Sequence, residues 1–128
     1  MIDRELVFFL LSLLVGVFWF RILFLFVPHP YKDGSFMRSL TGLKWHHWHT
    51  GMVFLTAGMA IIIYQGKTLA ALIFLGLGLG LVVDEFFMTL RLETQREEEL
   101  KVYSGSFGET LILTLAISVV FLLISFSF

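Results

Sequence analysis

The sequence contains no cysteine and few charged residues for its length. The absence of thiols excludes disulfide frameworks, thiolate metal centres and thiol redox chemistry. Charged residues make up 15% of the 128 residues, against about a quarter in an average soluble domain. The formal net charge is −1, so no basic surface of the kind that binds nucleic acid is expected.

Apolar residues take the place of the missing charges: 58% of the chain is hydrophobic and the mean hydropathy is +0.90. Continuous apolar segments cover about residues 6–27, 47–64, 68–90 and 107–127. Each approaches the roughly 20 residues that a bilayer-spanning helix needs, and continuous runs favour helices over barrel strands. We predict an all-α membrane protein, a single domain over residues 1–128 with four transmembrane helices in an antiparallel bundle.

The positions of Lys and Arg predict how these segments are oriented. The loops over residues 28–46 and 91–106 carry six of them, whereas the opposite ends carry only Arg4 and Lys67. Basic residues concentrate in cytoplasmic loops. Both longer loops are therefore predicted to be cytoplasmic, with both termini on the non-cytoplasmic side.

Glycines recur at helical spacing in the second and third segments. Gly76, Gly80 and Asp84 are four residues apart and share one face, and Gly51 and Gly58 form a comparable stripe. Small residues at this spacing let neighbouring helix backbones approach closely in lipid. The short turn between the two segments predicts that they pack as antiparallel neighbours. The same glycine faces could instead serve a second copy of the chain or a partner membrane subunit.

Every predicted span brings an ionisable side chain to the cytoplasmic side. These residues are Arg21 in the first span, His46, His47 and His49 at the start of the second, Asp84 and Glu85 in the third, and Glu109 in the fourth. Asp84 lies about 24 Å along its helix, and so about one turn inside a hydrocarbon core about 30 Å thick. Ionisable groups inside a membrane are costly and normally face a partner in the bundle, so we expect these side chains to meet.

A metal ion is one partner that the residue types suggest. His46 and His49 lie one helical turn apart and can converge on one ion, while Asp84 can supply an oxygen from another helix. Mixed imidazole and carboxylate ligation suits Zn, Fe or Mn. We predict a divalent metal site formed by His46, His47, His49 and Asp84.

Three further charged residues have both a chemical and a structural interpretation. Glu85 and Glu109 are the predicted catalytic residues, because either could be the general base for a metal-bound water. Glu109 also fits a capping box with Ser106, which would need no metal. Arg21 could hold an anionic headgroup or form a structural ion pair with Asp84.

Two motifs in residues 43–110 resemble those of a group of small, uncharacterised integral membrane proteins of prokaryotes. The motifs are His46-His47-x-His49-x-Gly51 and Gly78-x-Gly80-Leu81-x-x-Asp84-Glu85-Phe86. The histidine spacing here differs from that of the group, so ligands are not assigned one to one. The resemblance implies a protein of the prokaryotic plasma membrane built around this histidine and carboxylate cluster, and it supplies no reaction.

Three functions fit these observations. The first is a metal-dependent hydrolase of a lipid or lipid-linked substrate, with the metal lowering the pKa of its bound water. The second is a non-catalytic subunit or scaffold of a larger membrane complex, in which the same residues form a closed structural site. The third is metal-ion or proton transport, for which the outer halves of the spans offer few polar residues. Whether the chain is an enzyme stays open at this stage.

Overall fold

A computed structural model describes residues 3–26, 46–91 and 96–127. This described part is all-helical, without strands. Its helices are α1 (Arg4–Phe26), α2 (His47–Gln65), α3 (Leu69–Leu90), α4 (Arg96–Gly105) and α5 (Phe107–Ser127). The four apolar segments are thus confirmed as helices close to their predicted bounds. The loop over residues 28–46 lies outside the described residues except for His46.

Three of the described helices, α1, α3 and α5, are long and apolar enough to cross a membrane. The fourth, α2, has 19 residues. Its mean hydropathy is lower because its first turn carries two histidines and a tryptophan. The all-helical membrane class is therefore supported, with three candidate spans rather than the four that the sequence predicts.

Helix α3 lies at the centre of the bundle. It packs along α1 on one side and α2 on the other, and it also contacts α4 and α5. The predicted antiparallel pairing of α2 and α3 is confirmed. The turn between them is fixed by Gly66, whose φ of 77° lies in the left-handed region, and by Thr68, whose Oγ1 accepts a hydrogen bond from the Ala71 amide at 3.2 Å.

Glycines set how closely α1 and α3 approach. A Cβ added to Gly76 would lie 2.5 Å from the Phe9 carbonyl oxygen, and one added to Gly16 would lie 2.6 Å from the Leu77 carbonyl oxygen. At these contacts a methyl group has no room unless a backbone moves. The predicted face of α3 through Gly76 and Gly80 is therefore packed against α1.

The second glycine face is used in the same way between α2 and α3. A Cβ on Gly51 would lie 2.7 Å from the Gly78 carbonyl oxygen, and a Cβ on Gly58 would lie 2.8 Å from Leu75 Cγ. Both glycine stripes are thus covered within the chain. A partner subunit, which stays a prediction, would have to use another surface.

We predict that Gly80→Ala destabilises the protein by about 1–3 kcal/mol, the usual cost of overpacking. The added methyl would meet the Leu13 carbonyl oxygen and, at 2.8 Å, Gly16 Cα. The measurement is the unfolding midpoint in detergent micelles. Gly108→Ala is the matched control, because a Cβ there has nothing within 4 Å. Equal midpoints for the two variants would contradict the close approach of α1 and α3.

Candidate functional site

The centre of the site is Arg21, which lies in the apolar sequence of α1 and is 5% exposed. Its Nε donates to Asp84 Oδ1 at 2.6 Å, and its Nη2 donates to the Asp84 carbonyl oxygen at 3.0 Å. Asp84 is fully buried. The ion pair that the sequence suggested as a structural interpretation of Arg21 is therefore confirmed.

Residues of α4, of α5 and of the junction between them complete the hydrogen bonding of the guanidinium. Arg21 Nη1 donates to the Tyr103 carbonyl oxygen at 2.8 Å, and Nη2 donates to Thr110 Oγ1 at 2.9 Å and to Ser106 Oγ at 3.4 Å. The guanidinium carbon also lies 4.4 Å from the centroid of the Tyr103 ring, a cation–π contact. We call Arg21, Asp84, Tyr103, Ser106 and Thr110 the polar lock.

The second oxygen of Asp84 is held by the tyrosine of the lock. Tyr103 Oη donates to Asp84 Oδ2 at 2.8 Å. Burial and the adjacent Asp84 carboxylate raise the pKa of the Tyr103 hydroxyl far above its ordinary value. The hydroxyl therefore stays protonated and remains a donor. Both carboxylate oxygens of Asp84 are thus engaged inside the lock.

Glu85 points to a different neighbour from Asp84, because adjacent residues on an α-helix differ by about 100° in direction. Its carboxylate, 3% exposed, accepts a hydrogen bond from the Trp48 amide at 3.0 Å through Oε2. Trp48 is in the first turn of α2, where backbone amides have no partner within the helix. Glu85 thus caps α2 from α3, and its negative charge is favourable at that end of the helix dipole.

The three histidines sit around this capped helix end. His47 stacks on Phe20 with ring centroids 3.7 Å apart. Its Nδ1 lies 3.3 Å from Glu85 Oε1 and 3.7 Å from Asp84 Oδ2. His46 Nδ1 lies 3.9 Å from Glu85 Oε1. His49 Nδ1 accepts a hydrogen bond from the His46 amide at 3.1 Å, closing the first turn.

The predicted four-ligand metal site is not assembled as the sequence suggested. Within residues 3–26, 46–91 and 96–127, no three His, Asp or Glu side chains are arranged to hold a metal ion. Asp84 turns both oxygens to Arg21 and Tyr103, and His49 Nδ1 caps its own helix. What the structure brings together is the smaller set of His46, His47 and Glu85.

Glu109 lies apart from the lock, on the surface. It is 47% exposed, and both its oxygens accept from Arg91 Nη2 at 3.2 Å. Ser106 Oγ donates to the Tyr103 carbonyl oxygen at 3.0 Å. Ser106 and Glu109 thus make two separate interactions instead of the expected capping box. A surface ion pair of this kind contributes little to stability, and it leaves Glu109 without a neighbour from the histidine cluster.

Sequence reasoning missed Tyr103 and Thr110 as members of the site. Their spacing held a signal, since Tyr103, Ser106 and Thr110 recur at three and four residues, the period of one helix face. The signal is weak because α4 ends and α5 begins within this stretch. Hydroxyl groups near a helix junction are also more commonly caps.

We predict that Tyr103→Phe lowers the free energy of unfolding by about 1–3 kcal/mol, because it leaves a buried carboxylate oxygen of Asp84 without its donor. The phenyl ring keeps the apolar contacts, so only the hydroxyl is tested. Tyr64→Phe is the control, since Tyr64 is 86% exposed at the end of α2. A Tyr103→Phe midpoint equal to that of the control would show that the hydroxyl does not support Asp84.

Comparison with known proteins gives no relative from which a role could be transferred. No family model, no curated protein and no solved structure matches the chain. The polar lock and the capped end of α2, in an all-helical protein with three candidate membrane-spanning helices, are therefore the features that bear on function.

Proposed function

We propose that the protein is a non-catalytic integral membrane subunit whose buried polar residues hold its helices together. The observation that carries this proposal is the closure of the polar lock. All three guanidinium nitrogens of Arg21 and both carboxylate oxygens of Asp84 are hydrogen-bonded to other residues of the lock. These buried groups are satisfied by one another, whereas a group that acts on water or substrate must be open to it.

The proposed topology has four spans. Helix α2 is 19 residues long, which corresponds to about 28 Å, close to the thickness of a hydrocarbon core. It runs antiparallel beside α3, and its histidine and tryptophan residues suit a membrane interface. We place the loops over residues 28–46 and 91–106 in the cytoplasm and both termini outside, in the plasma membrane of a prokaryote.

Single cysteines test this topology directly, because the chain has none of its own. We predict that Asp3→Cys and Gln65→Cys react with a membrane-impermeant maleimide from one side of sealed vesicles, and Glu98→Cys from the other. All three positions are exposed. If α2 does not cross the membrane, Gln65→Cys will instead label from the side opposite to Asp3→Cys. Glu98→Cys will then label from the same side as Asp3→Cys.

One observation favours a second function, the metal-dependent hydrolysis of a lipid or lipid-linked substrate. The Nδ1 atoms of His46 and His47 lie 3.9 and 3.3 Å from the same oxygen of Glu85. Ligands of a tetrahedral ion with bonds of 2.0–2.1 Å are about 3.4 Å apart. Small side-chain shifts would therefore let these three residues hold Zn, Fe or Mn, which would supply an activated water for hydrolysis.

Metal content distinguishes the two functions. In freshly purified, unchelated protein we predict no stoichiometric metal. We expect Glu85→Gln to lower the unfolding midpoint, because the charged cap of α2 is worth about 0.3–2 kcal/mol. Glu98→Gln is the control, since Glu98 is an exposed acid of α4. Elemental mass spectrometry and thermal unfolding are the two measurements.

Near-stoichiometric Zn, Fe or Mn that is lost in Glu85→Gln and kept in Glu98→Gln would replace the subunit proposal with the metal enzyme.

The subunit proposal also requires that the chain be part of an assembly. Protein solubilised from its own membranes in a mild detergent should show a mass above that of one 14.7 kDa chain and its micelle. A single chain under those conditions would overturn it.

A further inference from the structure

An open pocket of about 540 Å³ lies at the end of the bundle opposite the polar lock. Apart from Ser125 and the charged residues at its mouth, its walls are leucine, isoleucine and phenylalanine side chains of four helices. Among them are Leu6 and Phe9 of α1, Leu55 of α2, Leu79 of α3, and Phe121 and Ile124 of α5. A volume of this order is typical of pockets that hold a small molecule.

The pocket extends from a helix end to the middle of the bundle. Leu79 lies ten residues beyond Leu69, the first residue of α3, which corresponds to about 15 Å. Half of a hydrocarbon core about 30 Å thick has the same depth. The pocket therefore matches one leaflet of the bilayer, which fits an acyl chain entering from that side better than a helix that crosses both leaflets.

Charged residues stand only at the mouth of the pocket. Asp3, Glu5 and Lys67 line this end, and Lys67 Nζ forms an ion pair with Glu5 Oε2. The hydrogen bond to Glu5 raises the pKa of Lys67 above its ordinary value, so the ammonium group is present at neutral pH. The side chains of Lys67 and Glu5 are 60% and 42% exposed, which leaves both accessible to a ligand headgroup.

We propose that this pocket binds one phospholipid with a primary ammonium headgroup, as in phosphatidylethanolamine. One acyl chain occupies the leucine-lined part, the phosphate contacts Lys67, and the headgroup ammonium contacts the carboxylates of Asp3 and Glu5. A mouth with two acids and one base complements a headgroup that carries both charges. A primary ammonium can donate hydrogen bonds to carboxylates, whereas the quaternary ammonium of a choline headgroup cannot.

The test is native mass spectrometry of the delipidated full chain in detergent, titrated separately with phosphatidylethanolamine and phosphatidylcholine of the same acyl chains. We expect phosphatidylethanolamine to bind about tenfold more tightly, the equivalent of about 1.4 kcal/mol. Ile124→Trp should weaken that binding by about tenfold or more, because the indole fills the pocket from its exposed α5 wall. Leu115→Trp is the matched control, since Leu115 is 57% exposed on α5 and is not part of the pocket.

The headgroup contact is tested separately with Lys67→Gln and Glu5→Gln, which change exposed side chains and leave the apolar walls intact. Each is expected to reduce the preference for phosphatidylethanolamine over phosphatidylcholine to less than about threefold. Equal binding of the two lipids by the unaltered chain, or unchanged binding by Ile124→Trp, would overturn the proposal. Neither result bears on the lock, so this inference stands apart from the proposed subunit role.

Discussion

The packing of the helices depends on one requirement: the guanidinium of Arg21, which lies in an apolar helix, needs hydrogen-bond acceptors. An arginine at this depth cannot be left without acceptors in a low-dielectric environment. Arg21 finds its acceptors on three other helices: Asp84 on α3, the Tyr103 carbonyl on α4 and Thr110 on α5. The hydrogen bonds of this single side chain therefore fix the relative positions of α1, α3, α4 and α5. Removing one partner would leave a buried charge without compensation, which is more costly than replacing the whole pair with apolar residues.

The adjacent pair Asp84 and Glu85 extends this constraint to the remaining helix. Because the two side chains point in directions about 100° apart, one carboxylate enters the lock and the other reaches the first turn of α2. Two neighbouring carboxylates in apolar surroundings would repel each other without nearby positive charge. Arg21 supplies that charge on one side, and the positive end of the α2 dipole supplies it on the other. The first turn of α2 therefore contacts both α1 and α3. Glu85 of α3 caps it, and Phe20 of α1 stacks on His47.

The sequence alone predicts the features that depend on helical periodicity and on segment length. It does not predict those that depend on contacts between helices. The helix bounds, the buried face of Gly76, Gly80 and Asp84, and the pairing of α2 with α3 follow from apolar runs, four-residue spacing and a short turn. The described residues do not bring the predicted ligand set together, because residue type cannot show which partner a carboxylate will take. The Asp84 carboxylate accepts one hydrogen bond from Arg21 Nε and one from Tyr103 Oη, and neither needs a metal ion. Tyr103 was missed because its spacing with Ser106 and Thr110 runs across the junction of α4 and α5, where hydroxyl groups are usually helix caps.

The size of the contacting residues accounts for the difference between the packing of α1 and α2 against α3 and the packing of α5 against the bundle. Helices α1 and α2 approach α3 through glycines, so the helices come into close contact at those positions. Helix α5 has no glycine after Gly108 and meets the core through larger side chains, with the Phe121 ring 4.6 Å from that of Phe9. Hydrogen bonds from Arg21 to Ser106 and Thr110 hold one end of α5 to α1, while Phe121 and Ile124 near its other end line the pocket. The pocket lies where α5 meets the bundle through large side chains rather than through glycines.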